Sequence, residues 1–443
     1  MKPPLTPLEP WIAGRLGLGA ESGLRAEDLA AGQLAGLNRT LAWAREQSPF
    51  YRERLGSLPP EPLASLAEVA ELPFTTPEDL REQGGRMVCV SQGEVARVVS
   101  LPTSGTTAPA KRLYFSPEDL ELTLDFFHHG MSTLVQPGQR VLILLPGEAP
   151  DSVGDLLARG LERLGVTGVP CGPVQDLEAC LEVMRLAEVH SLVGIPTQVL
   201  ALAARAALGD RPPRELTSVL LTTDYVPRSL AARVAEAWGV EVFEHWGMTE
   251  TGLGGAVMCR AREGSHVRAL DLYCEVVDPA SGRVLPAGEE GELVITTLTR
   301  RALPLVRYRT GDLTRLLAGR CACGSLVPRL ARVRGRVAVG LSLGAGKVLR
   351  LHELDEVLFA LPWLLDYRAT ARPRPEGWGL ELEVRTTEPA PGESELGAGV
   401  TRALAGLPAA RGGRLVLERM SLAPAGWPTS GVGKRVLCLT EEA

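Results

Sequence analysis

At 443 residues, 45% hydrophobic and 23% charged, the chain is long enough for two or more soluble globular domains with sizeable cores. Its 47 basic and 53 acidic residues leave a net charge of −6 with no long like-charge run, so nucleic acid is not an expected partner. The start MKPPLTPLEPW has prolines where a signal peptide needs an apolar run. No uninterrupted apolar segment reaches the length of a bilayer span, so no membrane partner is expected and the address read is cytoplasmic. The eight cysteines lack the regular spacing of a disulfide framework and read as thiols or metal ligands.

From about Arg25 to Arg54, apolar residues at helical spacing (Ala30, Leu34, Leu37, Leu41, Ala44) predict a packing helix broken at Ser48-Pro49-Phe50-Tyr51. Leu72-Pro73-Phe74-Thr75-Thr76-Pro77-Glu78-Asp79 sets a threonine before a proline with acids behind it, a helix start. Ser116-Pro117-Glu118-Asp119 repeats that signal ahead of a helix from Leu120 to Met131, which carries His128 and His129. Adjacent helical residues point about 100° apart, so these histidines suit packing or pocket lining better than one metal.

Between these two starts, Thr103-Ser104-Gly105-Thr106-Thr107 gathers four hydroxyls and a glycine ahead of Lys111 and Arg112. Such a loop can wrap a polyphosphate, because glycine admits close backbone approach, amides and hydroxyls donate, and a lysine balances charge. The Walker signature, with four residues between its glycines and then Gly-Lys-Ser/Thr, is absent. The loop therefore suggests ATP bound in another way, and its bland alternative is a solvated turn.

Four short apolar runs follow, Arg140 to Pro146, Gly165 to Pro170, His190 to Pro196 and Ser218 to Thr222, each after a helical stretch. This alternation predicts α/β architecture with parallel sheets whose strands are buried on both faces. Ligands in such folds sit beyond the carboxyl ends of the strands. That draws attention to Thr222-Thr223-Asp224-Tyr225-Val226-Pro227 and to Phe243-Glu244-His245-Trp246-Gly247-Met248-Thr249-Glu250. From Asp271, short alternating strands and turns (Asp278 to Gly282, Pro286 to Gly288) predict a β-rich subdomain over about 257–336. A glycine-rich patch after Gly335-Arg336 leads into a small C-terminal domain, residues 337–443, read as helix, strand and helix.

Thr103 to Thr107, Trp246-Gly247-Met248-Thr249-Glu250, Tyr308-Arg309-Thr310-Gly311-Asp312 and Gly431-Val432-Gly433-Lys434-Arg435 stand in a fixed order. With Ser48 to Tyr51 and Leu72 to Thr76, they make nearly the whole chain resemble the adenylate-forming superfamily, more closely its phenylacetate-CoA ligase branch. The resemblance implies a large N-terminal adenylation domain, 1–336, of parallel α/β sheets plus the β-rich subdomain, and a small mobile α+β domain. It further implies that a carboxylic acid, aryl or arylacetic, reacts with ATP to give acyl-AMP, and that coenzyme A then takes the acyl group. By the same resemblance, Ser104, Gly105, Thr106, Thr107 and Lys111 hold the β- and γ-phosphates. Glu250, with Thr249 beside it, binds Mg²⁺. Asp312 accepts from both ribose hydroxyls, and Arg336 sits near the α-phosphate. Asp224 and Tyr225 with Glu244 and Trp246 enclose the adenine, His245 and Gly247 belong to the same nucleotide-binding stretch, and Lys434 is the mobile catalytic cation.

The chain departs from the family twice. Ala108 stands where a glycine usually follows Thr107, and Gly335-Arg336-Val337-Ala338 replaces the hinge Gly-Arg-x-Asp. The missing hinge aspartate supports adenylation better than transfer to coenzyme A. It leaves room for another acceptor, namely a carrier-protein thiol, an amine or a deazaflavin-cofactor hydroxyl. A non-catalytic nucleotide-binding protein is the third reading, opposed by the presence of both Glu250 and Lys434.

Cys259, His266 and the tight pair Cys321-Ala322-Cys323 offer the Cys₃His set of a closed structural zinc site, with Cys274 in reserve. The phenylacetate-CoA ligase branch often shows a similar Cys…His…Cys-Pro-Cys-Gly pattern. Monomer and homodimer are both compatible with the sequence.

Overall fold

The computed structural model describes residues 3–19, 23–59, 61–101, 110–207, 214–337, 339–343, 348–375, 377–410, 414–423, 435 and 437–439. Helices α1 (Leu8–Arg15), α2 (Ala26–Gln47), α3 (Pro49–Arg54) and α4 (Pro77–Met87) come first, then strands β1 (Arg97–Leu101) and β2 (Lys111–Phe115) and helix α5 (Pro117–Met131). There follow β3 (Arg140–Ile143), α6 (Val153–Arg163), β4 (Thr167–Pro170), α7 (Leu177–Leu186), β5 (Ser191–Gly194), α8 (Pro196–Ala206), β6 (Ser218–Leu221), α9 (Arg228–Trp238) and β7 (Glu241–Trp246). Short strands β8 (Ala256–Met258) and β9 (Ser265–Val267) lead to β10 (Leu272–Val277), β11 (Gly291–Thr297), β12 (Tyr308–Thr314) and β13 (Arg329–Leu330). The rest comprises β14 (Leu341–Ser342), β15 (Val348–Leu349), α10 (Leu351–Leu358), β16 (Leu364–Arg374), β17 (Gly377–Thr386), α11 (Glu393–Ala405), β18 (Leu415–Leu422) and β19 (Leu437–Leu439). No helix among the described residues is long and apolar enough to cross a membrane.

The chain divides into two compact units: residues 1–136, 150–165 and 245–333, and residues 137–149, 166–244 and 334–443. In the first, β10, β11 and β12 form an antiparallel sheet, and the end of β7 pairs with β8, which leads on to β9 and β13. Strands β1 and β2 pair antiparallel and set Lys111 opposite Leu101. Local chemistry starts the helices. The Thr76 hydroxyl accepts from the Asp79 amide (3.1 Å) while the Asp79 carboxylate accepts from the Thr76 amide (2.9 Å), and Ser116 and Asp119 repeat the box at α5. Each such cap is worth about 1 kcal/mol. Ser48 ends α2 and its hydroxyl also accepts from the Tyr51 amide (3.2 Å), so the break expected at Ser48-Pro49 starts a second helix, α3.

In the second unit β4, β3, β5, β6 and the first four residues of β7 run parallel, and β5 and β6 are buried at every position. Apolar side chains of α7, α8 and α9 share one buried cluster with these strands and exclude water from them. Residues 243–246, expected beyond a strand, instead complete β7, because Val242 and Phe243 continue the buried parallel pairing. The loop starts at Gly247.

Beyond residue 334 the expected single strand is a four-stranded sheet in the order β18-β17-β16-β19, with β16 and β17 antiparallel. Buried Leu380, Leu382 and Val384 alternate with outward Glu381, Glu383 and Arg385, a period of two diluted by charge. This sheet and α10 share one apolar core with α8 and the parallel strands: Leu354, Leu358, Phe359 and Ala369 belong to the same cluster as Leu200, Leu202, Val219 and Leu221. Each of these leucine, valine and phenylalanine side chains contributes about 1.5–3 kcal/mol by burial.

Candidate active site

Strand β12 organises the polar centre of the first unit. It carries Tyr308, Thr310 and Asp312, and its pairing with β11 shifts register between Arg309 and Leu313. Three earlier segments fix its start. Thr75 bridges to Tyr308 in parallel fashion, its hydroxyl donates to the Val306 carbonyl (2.7 Å), and the Val306 amide donates to the Tyr51 hydroxyl oxygen (3.1 Å). Arg307 is held at φ +44°, a conformation uncommon for any residue but glycine. Its guanidinium donates to both Glu275 oxygens (3.1 Å each) and lies 4.2 Å from the Phe74 ring centre. Ser48 to Tyr51 and Leu72 to Thr76 are thus the supports of β12.

Glu250 lies in a one-turn helix, Thr249–Thr251, and is buried. The Lys111 ammonium pairs with it, the Tyr308 hydroxyl donates to Oε1 (3.1 Å), and the Arg300 guanidinium donates to its backbone carbonyl (2.8 Å). Burial by itself pushes this carboxyl up, but the Lys111 charge and hydrogen bond, its own backbone amide and Tyr308 together hold it below the usual carboxylate range. The group is therefore an ionised carboxylate in a dry setting, matched by one cation.

Asp312 is also buried. The Trp246 indole N–H donates to its Oδ2 (3.0 Å) and its own amide donates to the Thr310 hydroxyl (3.0 Å). Gly311 makes the turn possible at φ +77°, a left-handed conformation other side chains resist. Gly255 lets Trp246 lie flat, since a Cβ there would come within 2.4 Å of the indole Cζ3. Beside Trp246, His245 is packed 6.0 Å from Phe126, and burial pushes its imidazole down to about 4, so the ring is neutral. Gly247 and Thr249 complete the loop, the Thr249 carbonyl accepting from the Gly252 amide (3.1 Å). On α5, His129 stacks on Trp11 with 5.1 Å between ring centres, the packing role read from the sequence.

The second unit holds Asp224, Tyr225, Glu244 and Arg336. Thr223 at φ +82° turns the chain after β6. Asp224 accepts from the Tyr225 amide (2.8 Å) and from Arg435 Nε (3.1 Å), and the Tyr225 hydroxyl donates to Glu356 (2.6 Å). Glu244 closes the parallel part of β7, opposite Leu221. Arg336 follows Gly335, whose φ is +131°. Ser104, Gly105, Thr106, Thr107, Lys434 and the departures Ala108 and Ala338 lie outside the described residues.

A second cluster lies in the first unit, between β8, β9 and the turn before β13. Cys259, His266, Cys321 and Cys323 are all buried, with ligand atoms within 4.8 Å of one another. Cys259 Sγ lies 3.7 Å from Cys321 Sγ, and Cys323 Sγ lies 3.6 Å from His266 Nε2. A tetrahedron with bonds of about 2.3 Å to sulfur has edges of about 3.8 Å, so the spacing fits zinc and is far too long for a disulfide. His266 Nδ1 lies 3.1 Å from the Val327 carbonyl, an acceptor, so the proton sits there and the Nε2 lone pair faces the sulfurs. Burial lowers this histidine to about 4 and raises Cys259 to about 12, leaving the imidazole neutral; a dication among the thiols would reverse the thiol shift. Cys274 lies on β10, outside the group. Glu9 of α1 accepts from the Ser325 hydroxyl (2.6 Å) and the Leu326 amide (3.0 Å), tying the N-terminal helix to the cysteine turn.

Tyr308, Arg300, Asp355, Glu356 and Arg435 had drawn no role from the sequence. The one local signal was Asp355, a charge on the apolar face of α10 beside Leu354 and Leu358.

A family model described as AMP-binding enzyme matches residues 77–299. A phenylacetate-coenzyme A ligase of Thermus thermophilus is 31% identical over 374 residues, covering 83% of this chain and 83% of the relative. The phenylacetate-coenzyme A ligase of Aromatoleum evansii is 31% identical over 328 residues, 70% of this chain and 71% of the relative. Among solved structures, 2-hydroxyisobutyryl-CoA ligase in the postadenylation state with 2-HIB-AMP superposes with a TM-score of 0.80 at 22% identity, covering 92% of this chain and 89% of that one. That likeness gives the fold.

Proposed function

The chain belongs to the AMP-binding enzymes and, within them, to the phenylacetate-coenzyme A ligases, and on that footing we propose that Glu250, Lys111 and Asp312 receive ATP for activation of an aryl or arylacetic acid. The activity is ligation in two half-reactions. A substrate carboxylate oxygen attacks the α-phosphorus, the bond to pyrophosphate breaks, and acyl-AMP forms. The coenzyme A thiol then loses its proton, attacks the acyl carbon, and AMP leaves.

The observation that carries this assignment is the meeting of Lys111 and Tyr308 on one buried carboxylate, Glu250, with buried Asp312 farther along the strand that carries Tyr308. Lys111 can turn from Glu250 to the phosphates, joining Ser104, Gly105, Thr106 and Thr107, and Glu250 with Thr249 is then free to hold Mg²⁺. That ion, when bound, neutralises phosphate charge. Asp312, held by Trp246, accepts from the ribose hydroxyls. Asp224, Tyr225, Glu244, His245 and Gly247 are assigned to the adenine side, Arg336 to the α-phosphate, and Lys434 to the charge that develops during adenylation. Cys259, His266, Cys321 and Cys323 would hold a structural zinc ion that fixes the turn before β13. Three buried thiols kept unoxidised suit a reducing compartment such as the cytoplasm.

Pyrophosphate release over a panel of carboxylic acids headed by phenylacetate, with and without coenzyme A, tests the assignment. Acid-dependent release, with thioester appearing only when coenzyme A is present, is expected. Release that no acid stimulates would overturn it.

A further inference from the structure

Apart from the group of Cys259, Cys321 and Cys323, the second unit brings a further pair of thiols together. Cys171 follows the edge strand β4 and is partly exposed, whereas Cys180 lies near the start of α7 and is buried. Their sulfur atoms are 3.9 Å apart, too far for a bond and close enough to make one by side-chain rotation. Backbone bonds on both sides hold this approach. The Cys171 and Gly172 amides donate to the Ile143 carbonyl (3.0 and 3.2 Å), and the Val174 amide donates to Gln198 Oε1 (3.0 Å). Asp176 caps α7 by accepting from the Ala179 amide (3.0 Å), and its carbonyl accepts from the Cys180 amide (3.1 Å). The two thiols differ in acidity. The hydrogen bond with Cys180 lowers Cys171 to about 7, while the same bond and burial push Cys180 up. The accessible sulfur is therefore the one that ionises first, and the buried one keeps its proton.

We propose that Cys171 and Cys180 form a reversible oxidation site, closed to a disulfide by a peroxide and reopened by a dithiol. The Cys171 thiolate attacks one oxygen of hydrogen peroxide, the O–O bond breaks and hydroxide leaves. The sulfur becomes a sulfenic acid, and the hydroxide takes back from solvent the proton that Cys171 gave up. Cys180 sulfur then attacks Cys171 sulfur, the S–O bond breaks, and the Cys180 proton leaves with that oxygen as water. Two thiols and one peroxide thus give one disulfide and two waters. An accessible thiolate with a resolving thiol beside it is the arrangement that stops oxidation at this reversible stage. In a reducing compartment such a bridge is transient, which suits a sensor better than a structural staple.

The test uses the full reduced chain, treated with hydrogen peroxide, quenched by alkylation under denaturing conditions and mapped by mass spectrometry. Exposed Cys438 serves as the internal reference. Cleavage after Glu178 puts the two cysteines on separate peptides, so only a bridge can join them. Two of the eight thiols should be lost as one peptide pair linking Cys171 to Cys180, and dithiothreitol should restore both. Cys171 should react about tenfold faster than Cys438, because the thiolate carries the reaction. Cys180→Ser keeps the shape, removes the resolving sulfur, and should leave Cys171 as a sulfenic acid that dimedone captures. Cys171→Ser should leave Cys180 alkylatable. The wild type alone is decisive if a variant fails to fold. Cys171 and Cys180 both still alkylatable at a dose that has consumed Cys438, or Cys171 carried to sulfinic acid with no bridge, overturns the proposal. The thiols themselves are the readout, so either result leaves the ligase assignment as it stands.

Discussion

A buried ion cluster around Glu250 in the first unit and one around Arg435 in the second differ in composition and in what they can do. In the first unit Glu250 is met by one lysine and one tyrosine; in the second, Arg435 is met by two aspartates. A lysine is a point charge on a flexible stem and can be withdrawn to another anion without breaking a directional fork, whereas an arginine in a two-pronged bond is a fixture. The lysine cluster is built to exchange partners and the arginine cluster to hold position. The proposed zinc ligands would extend the second principle, since four side chains closing on one ion would fix a turn and leave no open position for chemistry.

The largest expected effect sharpens that contrast at the neighbouring residue. Lys434→Ala should lower acid-dependent pyrophosphate exchange by about 10³-fold with the KM for ATP nearly unchanged, the pattern of a cation that acts in the transition state. An unaffected rate would remove Lys434 from the mechanism.

Next in size is Lys111→Met. Removing one partner of a buried pair costs about 3–5 kcal/mol, read as a lower denaturation midpoint near neutral pH. The pH dependence separates lost charge from lost packing. In the wild type, Glu250 is depressed in the fold, so its contribution is complete above the unfolded carboxylate value and fades as pH falls through the folded one. Without Lys111, burial prevails and the folded value rises, so stability should fall as pH climbs above the unfolded carboxylate value. A variant whose pH slope matches the wild type would show that Glu250 does not depend on Lys111.

Zinc comes next. Purified protein should contain about one zinc per chain, and chelation should lower the melting temperature and make the turn around Cys321 and Cys323 more open to proteolysis. A fully active preparation free of zinc would reject the ligand set. The smallest change is Trp246→Phe, which keeps the ring against Gly255 and deletes the donor to Asp312. One hydrogen bond to a charged group is worth about 1.5–3 kcal/mol, so the KM for ATP should rise about 10-fold or more while kcat holds. Equal loss in kcat would place Trp246 elsewhere in the reaction.

What was legible in the sequence was what is local. The Thr76 and Ser116 caps, the apolar runs of β3 to β6 and the turns between β10 and β11 follow from residues within a few positions of each other. The order of motifs carried the family. What escaped was settled by distant partners. The end of β7 is strand because β6 and β8 pair with it, and β17 and β18 carry so many charges that their alternation is diluted. Arg435 meets Asp224 across 211 positions and Asp355 across 80, separations that no periodicity encodes. Tyr308 stood in a recognised motif, yet its bond to Glu250 depends on the register of β12 with Thr75.

The most direct test of the central claim, that Glu250 and Asp312 serve one bound nucleotide during acid activation, is exchange of labelled pyrophosphate into ATP by wild type, Glu250→Gln and Asp312→Asn. The account predicts exchange that requires an aryl or arylacetic acid in the wild type and falls at least about 100-fold in Glu250→Gln, whereas Asp312→Asn chiefly raises the KM for ATP. Acid-dependent exchange that survives both substitutions undiminished would contradict it.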